Sequence, residues 1–245
     1  MKTFGKYIYC IMEGGKGENF GNIGLENNEV YTINHKDISA VVSKITFKEM
    51  PPDVDSIITH QKVVESSRSI STTLPVRFGI MFKTDEGVKQ LLVKSYNDYK
   101  SKIGKLHGKE EFGIKVILEK TGMEKIQGKI RDGSKEIKKM QKEISKSGEG
   151  TSYFLKMRMD ESIKHETLKK IDEMTGEIHQ ELASIVTDST VLKSDVQEIV
   201  LNTAYLIDKD NISKFIDSVE KIKIKCKKDG FVIHQSGPWA PYSFC

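Results

Sequence analysis

The first hundred residues alternate between short apolar runs and polar or glycine-rich stretches. Runs rich in β-branched and aromatic residues predict three strands, at residues 7–12, 29–33 and 38–43. A helix is predicted next, because Asp53 or Asp55 can accept the first free backbone N–H groups. Its sheet-facing positions are expected at helical spacing: Ile57, Ile58, Gln61, Val64 and Ser67-Arg68.

An extended segment returns at Leu74-Pro75-Val76-Arg77-Phe78-Gly79. Pro75 removes a backbone donor, so the segment is predicted to form an edge strand. A second helix is expected from Thr84 to Gly104, with one apolar stripe formed by Val88, Leu91, Leu92, Tyr96, Tyr99 and Ile103. The order β-β-β-α-β-α closes an N-terminal α+β domain over residues 1–108.

The second half opens on a strand at residues 111–118, whose apolar positions alternate: Phe112, Ile114, Val116 and Leu118. A basic helix follows, interrupted by Gly128 and Gly133, with a narrow apolar seam of Ile126, Ile130, Ile137, Met140 and Ile144. It is expected to pack on a second helix over residues 163–186, in a hairpin that could also receive a partner helix. Residues 151–159 alternate like a strand yet lead directly into that helix, and the pattern leaves both structures open.

Further strands are predicted at residues 190–192, 198–207 and 231–233, with a helix at 211–221. The order β-α-β-β-α-β is typical of a ferredoxin-like fold, modified here by an enlarged first helical region. The predicted fold class is therefore α+β with two domains. A ferredoxin-like domain over residues 109–236 follows the N-terminal domain, and an aromatic and proline-rich tail, residues 237–245, ends the chain.

Composition favours a folded protein in a reducing compartment. The 245 residues are 37% hydrophobic and 30% charged, which is near the globular average. The three cysteines, Cys10, Cys226 and Cys245, suit neither a disulfide framework nor a metal motif. Lys2 and Lys6 flank a short strand-like run near the start, and no apolar run reaches the ~20 residues of a membrane span. A cytoplasmic protein is expected.

Motifs for catalysis are weak throughout the sequence. The glycine-rich stretch 14–17 lacks the spacing of a phosphate loop, and the six histidines include no pair with metal-ligand spacing. We therefore predict no catalytic residue, no cofactor and no metal. An enzyme with a small-molecule site between the domains is the alternative, and His60, Arg77 and Glu110 are the only polar trio it could use.

The net charge of +4 is concentrated in one segment. Residues 120–147 carry nine Lys or Arg against four Asp or Glu, a local excess of +5. This segment lacks interleaved aromatics for base stacking and a bulky wedge for bilayer insertion, so neither nucleic acid nor a lipid membrane is the expected partner. Weak nucleic-acid binding through this basic helix is kept as a second alternative.

The tail differs from the rest of the chain. Gly237-Pro238-Trp239-Ala240-Pro241-Tyr242-Ser243-Phe244 places three aromatics and two prolines in a segment unsuited to a helix or a central strand. We expect an extended flap whose aromatics Trp239, Tyr242 and Phe244 anchor one domain on the other. A ligand site formed by the tail is the less favoured interpretation.

These residues resemble the G-P-W-P-P-Y-S-F ending of gas vesicle accessory proteins of the GvpF and GvpL family, with Ala240 where that family usually has proline. Further blocks resemble the family in the same order along essentially the whole chain: Tyr7-Ile8-Tyr9, residues 38–43, His60, residues 74–79 with Arg77, and residues 108–113. The lysine-rich middle region matches less clearly.

The resemblance implies a non-catalytic protein of two domains, the second a modified ferredoxin-like fold, that acts in assembling the gas-filled shell of buoyant prokaryotes. Its implied partners are the small hydrophobic wall protein GvpA and other accessory gas vesicle proteins, and its implied locations are the cytoplasm and the gas vesicle. His60, Arg77, Trp239, Tyr242 and Phe244 are the candidate structural or interaction residues. The resemblance does not separate GvpF from GvpL, or a minor wall component from a transient assembly factor.

Overall fold

The computed structural model describes residues 3–245, so Lys2 lies outside the described residues. The chain divides into two units: unit 1 contains the residues up to Glu111 together with Pro238–Cys245, and unit 2 contains Phe112–Gly237. Helices and antiparallel sheets occur in both, which confirms the predicted α+β class. The C-terminal tail therefore belongs to the unit that the N-terminal residues build.

Unit 1 is a sheet with helices packed on it. In chain order its elements are β1 (Phe4–Glu13), β2 (Asn19–Gly21), β3 (Val30–His35), β4 (Ile38–Thr46), α1 (Val54–Arg68), β5 (Thr73–Pro75), β6 (Met81–Phe82), α2 (Asp85–Lys94) and α3 (Tyr96–Leu106). The strand order is β2-β3-β4-β1-β5, and β6 also pairs with β1. Strands β1 and β4 are buried along nearly their whole length and form the centre of the unit. Strand β5 lies at the end of the strand order, which confirms the predicted edge position for the part of residues 74–79 that it contains.

Helix α1 begins as expected but buries a different face. The Asp53 carboxylate accepts a hydrogen bond from the Ser56 backbone N–H at 2.9 Å, which caps the first turn. The buried stripe is His60, Val63, Val64 and Ser67. Ile57 and Ile58 remain 44% and 43% exposed, so their predicted sheet contact is wrong. Successive helical residues turn by ~100°, which places Ile57 at the border of the stripe and Ile58 on the opposite side.

The helix predicted from Thr84 to Gly104 is two helices. Thr84 caps α2 by accepting a hydrogen bond from the Gly87 N–H at 3.1 Å, as the sequence suggests. Ser95 then leaves helical geometry, with φ −103° and ψ 14°, and α3 starts at the next residue. Gly104 lies inside α3, and the turn that ends it uses Gly108 with φ 67°. The apolar stripe alone did not reveal the break.

Unit 2 contains a four-stranded sheet and four helices among the residues described. Its elements are β7 (Lys109–Leu118, whose first residues lie in unit 1), α4 (Lys120–Gly133), α5 (Lys135–Ile144), α6 (Glu149–Ala183), β8 (Asp188–Val191), β9 (Ile199–Asp208), α7 (Ile212–Lys227) and β10 (Phe231–Trp239). The strand order is β10-β7-β9-β8. The element order is β-α-β-β-α-β, with three helices in the first helical position. The alternation predicted in β7 is present, since Phe112, Ile114, Val116 and Leu118 are all buried.

The basic helix of unit 2 is interrupted at one of the two glycines expected to break it. Helix α4 ends at Gly133, and Ser134 caps α5 by accepting from the Ile137 N–H, whereas Gly128 lies inside α4. Residues 151–159, left open between strand and helix, belong to α6. Both α4 and α5 pack against α6, as the apolar seam predicts. No helix within residues 3–245 combines the length and the apolar character needed to cross a membrane.

Candidate functional site

The tail crosses unit 1 in three short pieces. Residues up to Trp239 are the end of strand β10, Ala240 and Pro241 are buried, and Tyr242–Phe244 form a 3-10 turn. The predicted extended flap is therefore wrong only at its end, because the residues up to Trp239 are extended in an edge strand and Tyr242–Phe244 are helical. Ala240 is only 1% exposed and packs with the buried residues of β1 and β4. The position that departs from the resembling pattern is thus one of the tail's two buried residues.

Beside the tail lies a cavity of about 410 Å³, which we call the tail cavity. It brings together four of the five candidate residues: His60 of α1, Arg77 after β5, and Trp239 and Tyr242 of the tail. Ile57, Phe78 and Glu111 are among its other lining residues. Phe244, the fifth candidate, is not part of it. The apolar walls with a few polar groups have the composition of a small binding site.

His60 forms the buried end of the tail cavity. Its Nδ1 lies 2.8 Å from the Tyr7 hydroxyl, and its ring contacts those of Tyr9, Phe78 and Tyr242. Burial lowers the pKa of His60 to about 4, an effect that the Val76 backbone partly offsets. The imidazole is therefore neutral at pH 7. Its other nitrogen, Nε2, is buried and has no hydrogen-bond partner of normal geometry among residues 3–245.

Glu111 holds the tail in place. One carboxylate oxygen accepts from the Ser243 backbone N–H at 2.9 Å, and the other accepts from the Ser243 hydroxyl at 2.7 Å. Burial raises the pKa of Glu111, although both hydrogen bonds oppose the rise. Sequence reasoning missed this contact because it joins residues 132 positions apart. The only signal in the sequence is that Glu111 and Ser243 are polar residues next to the apolar residues Phe112 and Phe244.

The polar trio proposed for an enzyme is not assembled as predicted. Glu110 forms an ion pair with Arg68, and it is the neighbouring Glu111 that lines the cavity with His60 and Arg77. Alternation along β7 explains the difference, because consecutive strand residues point to opposite faces. Arg77 is exposed at the cavity, with no ion pair in the described part of the chain.

The chemistry available here is binding by shape and hydrogen bonding. Burial raises the pKa of Cys10 to about 12, and that of Cys245 to about 12 as well, so both thiols stay protonated at neutral pH. Within residues 3–245, no cluster of three or more His, Cys, Asp or Glu side chains could hold a metal ion. The tail cavity thus offers apolar walls, a neutral imidazole and an exposed guanidinium.

Substitution of Trp239 measures how much the largest ring of the tail contributes to the free energy of unfolding. Its side chain keeps 42% exposure, so we expect Trp239→Ala to lower the free energy of unfolding by about 1–2 kcal/mol, below the ~3 kcal/mol of a fully buried ring. Urea denaturation followed by circular dichroism measures this. As a control, Tyr153→Ala removes an aromatic that is 69% exposed on α6 and should change stability by less than about 0.5 kcal/mol. A loss of ~3 kcal/mol or more at Trp239 would contradict the observed exposure.

By fold and site, the chain is an α+β protein of two units whose C-terminal tail is built into the N-terminal unit beside a small apolar cavity. The model of the family described as gas vesicle synthesis protein GvpL/GvpF matches residues 5–245. The chain therefore belongs to the GvpL/GvpF family.

Relatives of both kinds resemble the chain along most of its length. Gas vesicle protein L of Haloferax mediterranei is 26% identical, covering 90% of this chain and 72% of that protein. Gas vesicle protein F of Dolichospermum flosaquae is 24% identical, covering 97% and 96%. The crystal structure of GvpF from Anabaena sp. PCC7120 superposes with a TM-score of 0.83 at 23% identity, covering 98% of this chain and 97% of that one. That structural likeness concerns the fold.

Proposed function

We propose that this protein is a gas vesicle assembly factor or minor structural component that binds the hydrophobic wall protein GvpA and other accessory gas vesicle proteins. It acts in the cytoplasm and at the gas vesicle. The observation that carries the proposal is the family match over residues 5–245, supported by relatives named gas vesicle protein L and gas vesicle protein F. Catalysis has no part in it.

A groove in unit 2 is the surface best suited to such a partner. It has a volume of about 650 Å³ and lies between α4, α6 and α7. Its floor is apolar, formed by Ile126, Ile130, Met174, Ile178, Ile222 and Cys226. Charged residues surround the floor, and two of them, Lys129 and Asp229, form an ion pair at 2.8 Å. An apolar floor with a charged rim is the arrangement that receives the apolar face of an amphipathic helix.

The physics of a hydrophobic wall protein explains why such a groove is useful. A free subunit that exposes apolar surface aggregates unless another protein covers that surface. Burial of apolar area contributes roughly 25 cal/mol per Å² to binding. The apolar face of a helix that lies in the groove would therefore gain binding free energy from each part of its surface that the groove covers. We therefore infer that the groove covers an apolar helix of the wall protein before it joins the shell.

Met174 is the residue through which to test the groove. Met174→Lys places a charge on the apolar floor, so we expect capture of co-expressed GvpA by the tagged full-length chain to fall by about tenfold or more. Met174 is only partly buried in the unit 2 core, which favours retention of the fold. Circular dichroism of the purified variant checks that the fold is kept.

Met157→Lys is the matched control. It makes the same substitution on the same helix, at a residue that is 57% exposed and outside the groove, beside Tyr153 and Phe154. Capture should stay at the wild-type level. If Met157→Lys abolishes capture and Met174→Lys does not, the exposed end of α6 is the binding surface instead of the groove. If the wild-type chain captures no GvpA, the proposed function itself fails.

A further inference from the structure

Helix α6 exposes a group of large apolar side chains to solvent. These side chains are Tyr153, Phe154, Met157 and Leu168, and each of them is more than half exposed. A single exposed apolar residue is ordinary, whereas a contiguous group of them marks an interaction surface. The positions of these residues around the helix therefore decide whether they form such a surface.

Two of them belong to a stripe that we call the α6 stripe. The stripe is formed by Met157, Glu161, Lys164 and Leu168, all of them exposed. Their separations of four, three and four positions are those of the a and d positions of a coiled coil. At about 100° per residue the four lie within roughly 60° of one another. The buried residues Ile163 and Thr167 lie roughly 110° further around the helix. The α6 stripe is thus separate from the face that packs into unit 2.

The charges of the α6 stripe indicate its occupant. Glu161 and Lys164 are exposed, and neither forms an ion pair with another residue in the described part of the chain. Reversing the direction of the stripe exchanges its acidic and basic positions. If two copies pair antiparallel, Glu161 of each therefore lies opposite Lys164 of the other, and Met157 lies opposite Leu168 at both ends. A parallel pair in register would instead place like charges together, which is unfavourable.

We propose that two copies of this chain associate through the α6 stripe as an antiparallel helix pair. Phe154 lies one turn before Met157 and extends the apolar contact at each end. The stripe spans about 17 Å, so the contact is shorter than a standard interface and we expect a reversible dimer with a Kd of about 10–100 µM. Self-association by this face does not require the binding of GvpA, because the groove uses other α6 residues, including Met174 and Ile178.

Exchange of the two charges tests the pairing. Sedimentation equilibrium of the full-length chain measures the Kd over about 5–500 µM protein. Glu161→Lys places lysine opposite Lys164, so we expect dimerisation about tenfold weaker or more, and Lys164→Glu should have the same effect. The double variant restores opposite charges and should recover the wild-type Kd to within about threefold. Glutamate and lysine have similar helix propensities, and circular dichroism checks that each variant keeps its fold.

A mixture of the two single variants adds a second measurement. Each supplies the charge that the other lacks, so the equimolar mixture should dimerise about as well as the wild type, although each variant alone does not. Lys169→Glu is the matched control, because it reverses an exposed charge on the same helix outside the α6 stripe and should leave the Kd unchanged.

Three results would overturn the proposal. The first is a wild-type chain that remains monomeric up to about 500 µM. The second is a double variant that dimerises as weakly as the single variants, which would mean that Glu161 and Lys164 do not meet across the pair. The third is a monomeric wild type in which Glu161→Lys lowers the capture of GvpA, because the α6 stripe would then bind the wall protein instead of a second copy.

Discussion

Gly230→Ala is expected to destabilise unit 2 by about 3–5 kcal/mol, enough to unfold a unit of ordinary stability. Gly230 follows α7 with φ 84°, a left-handed conformation that alanine adopts only at a cost. A Cβ atom there would lie 2.3 Å from the Gly122 Cα and 2.9 Å from its nitrogen. Both are backbone atoms of α4, so no side-chain rotation can relieve the contact.

The contact is supported from both sides. Gly122 lies in the first turn of α4, where an added Cβ would meet the Gly230 oxygen at 2.8 Å. The Glu119 N–H donates to that same oxygen at 3.2 Å, next to the start of the helix. The two glycines thus allow the start of α4 and the turn before β10 to approach closely.

Gly128→Ala is the matched control for this prediction. Gly128 lies inside the same helix, and a Cβ there has nothing within 4 Å. Because glycine is unfavourable in a helix interior, alanine should stabilise unit 2 by about 0.5–1 kcal/mol. Urea denaturation of the three proteins, followed by circular dichroism at the helical minimum, measures both changes. Wild-type stability of Gly230→Ala would show that the two backbones do not meet as described.

The sequence predicted the elements better than their interruptions. Strand β7 and helix α1 were found because alternation and capping are local signals, carried by neighbours such as Asp53 and Ser56. The break at Ser95 was not found, because the apolar stripe continues across it, whereas Gly133, where an interruption was expected, is the last residue of α4. A serine within a helical pattern is compatible with a new cap or with an uninterrupted helix, and only tertiary packing decides between them.

The sequence predicted most residues of the candidate site but not how they are arranged in space. His60, Arg77, Trp239 and Tyr242 were selected one by one from separate blocks, and the structure places all four at one cavity. The pairing of Glu111 with Ser243 could not be predicted, because no periodic pattern relates residues so distant along the chain. The exposure of Trp239 was missed for a related reason, since aromatic content indicates burial only on average.

His60 makes the stability of unit 1 depend on pH. Its folded pKa of about 4 lies below the ordinary value of 6.5, so the unfolded chain takes up a proton first as the pH falls. The associated stability is fully present above pH ~6.5 and is lost as the pH drops toward about 4. We expect the wild-type free energy of unfolding to lose about 3 kcal/mol from this group over that window, at 1.36 kcal/mol per pKa unit. Urea denaturation at a series of pH values measures the loss.

His60→Gln isolates that contribution, because glutamine keeps a polar side chain but cannot titrate. Other groups face the same site: Tyr7 and Tyr9 from β1, Arg77 after β5, and Glu111 from β7. Burial raises the pKa of both tyrosines, which stay protonated in this range, and of Glu111, whose carboxyl favours the folded state at low pH. These groups are the same in both proteins, so their contribution cancels in the comparison. The stability difference between wild type and variant should therefore shrink or reverse by about 3 kcal/mol between pH 7 and pH 4. If the stability difference stays constant across this range, the pKa of His60 is the same in the folded and unfolded chains. Burial beside the tail cavity would then not lower that pKa.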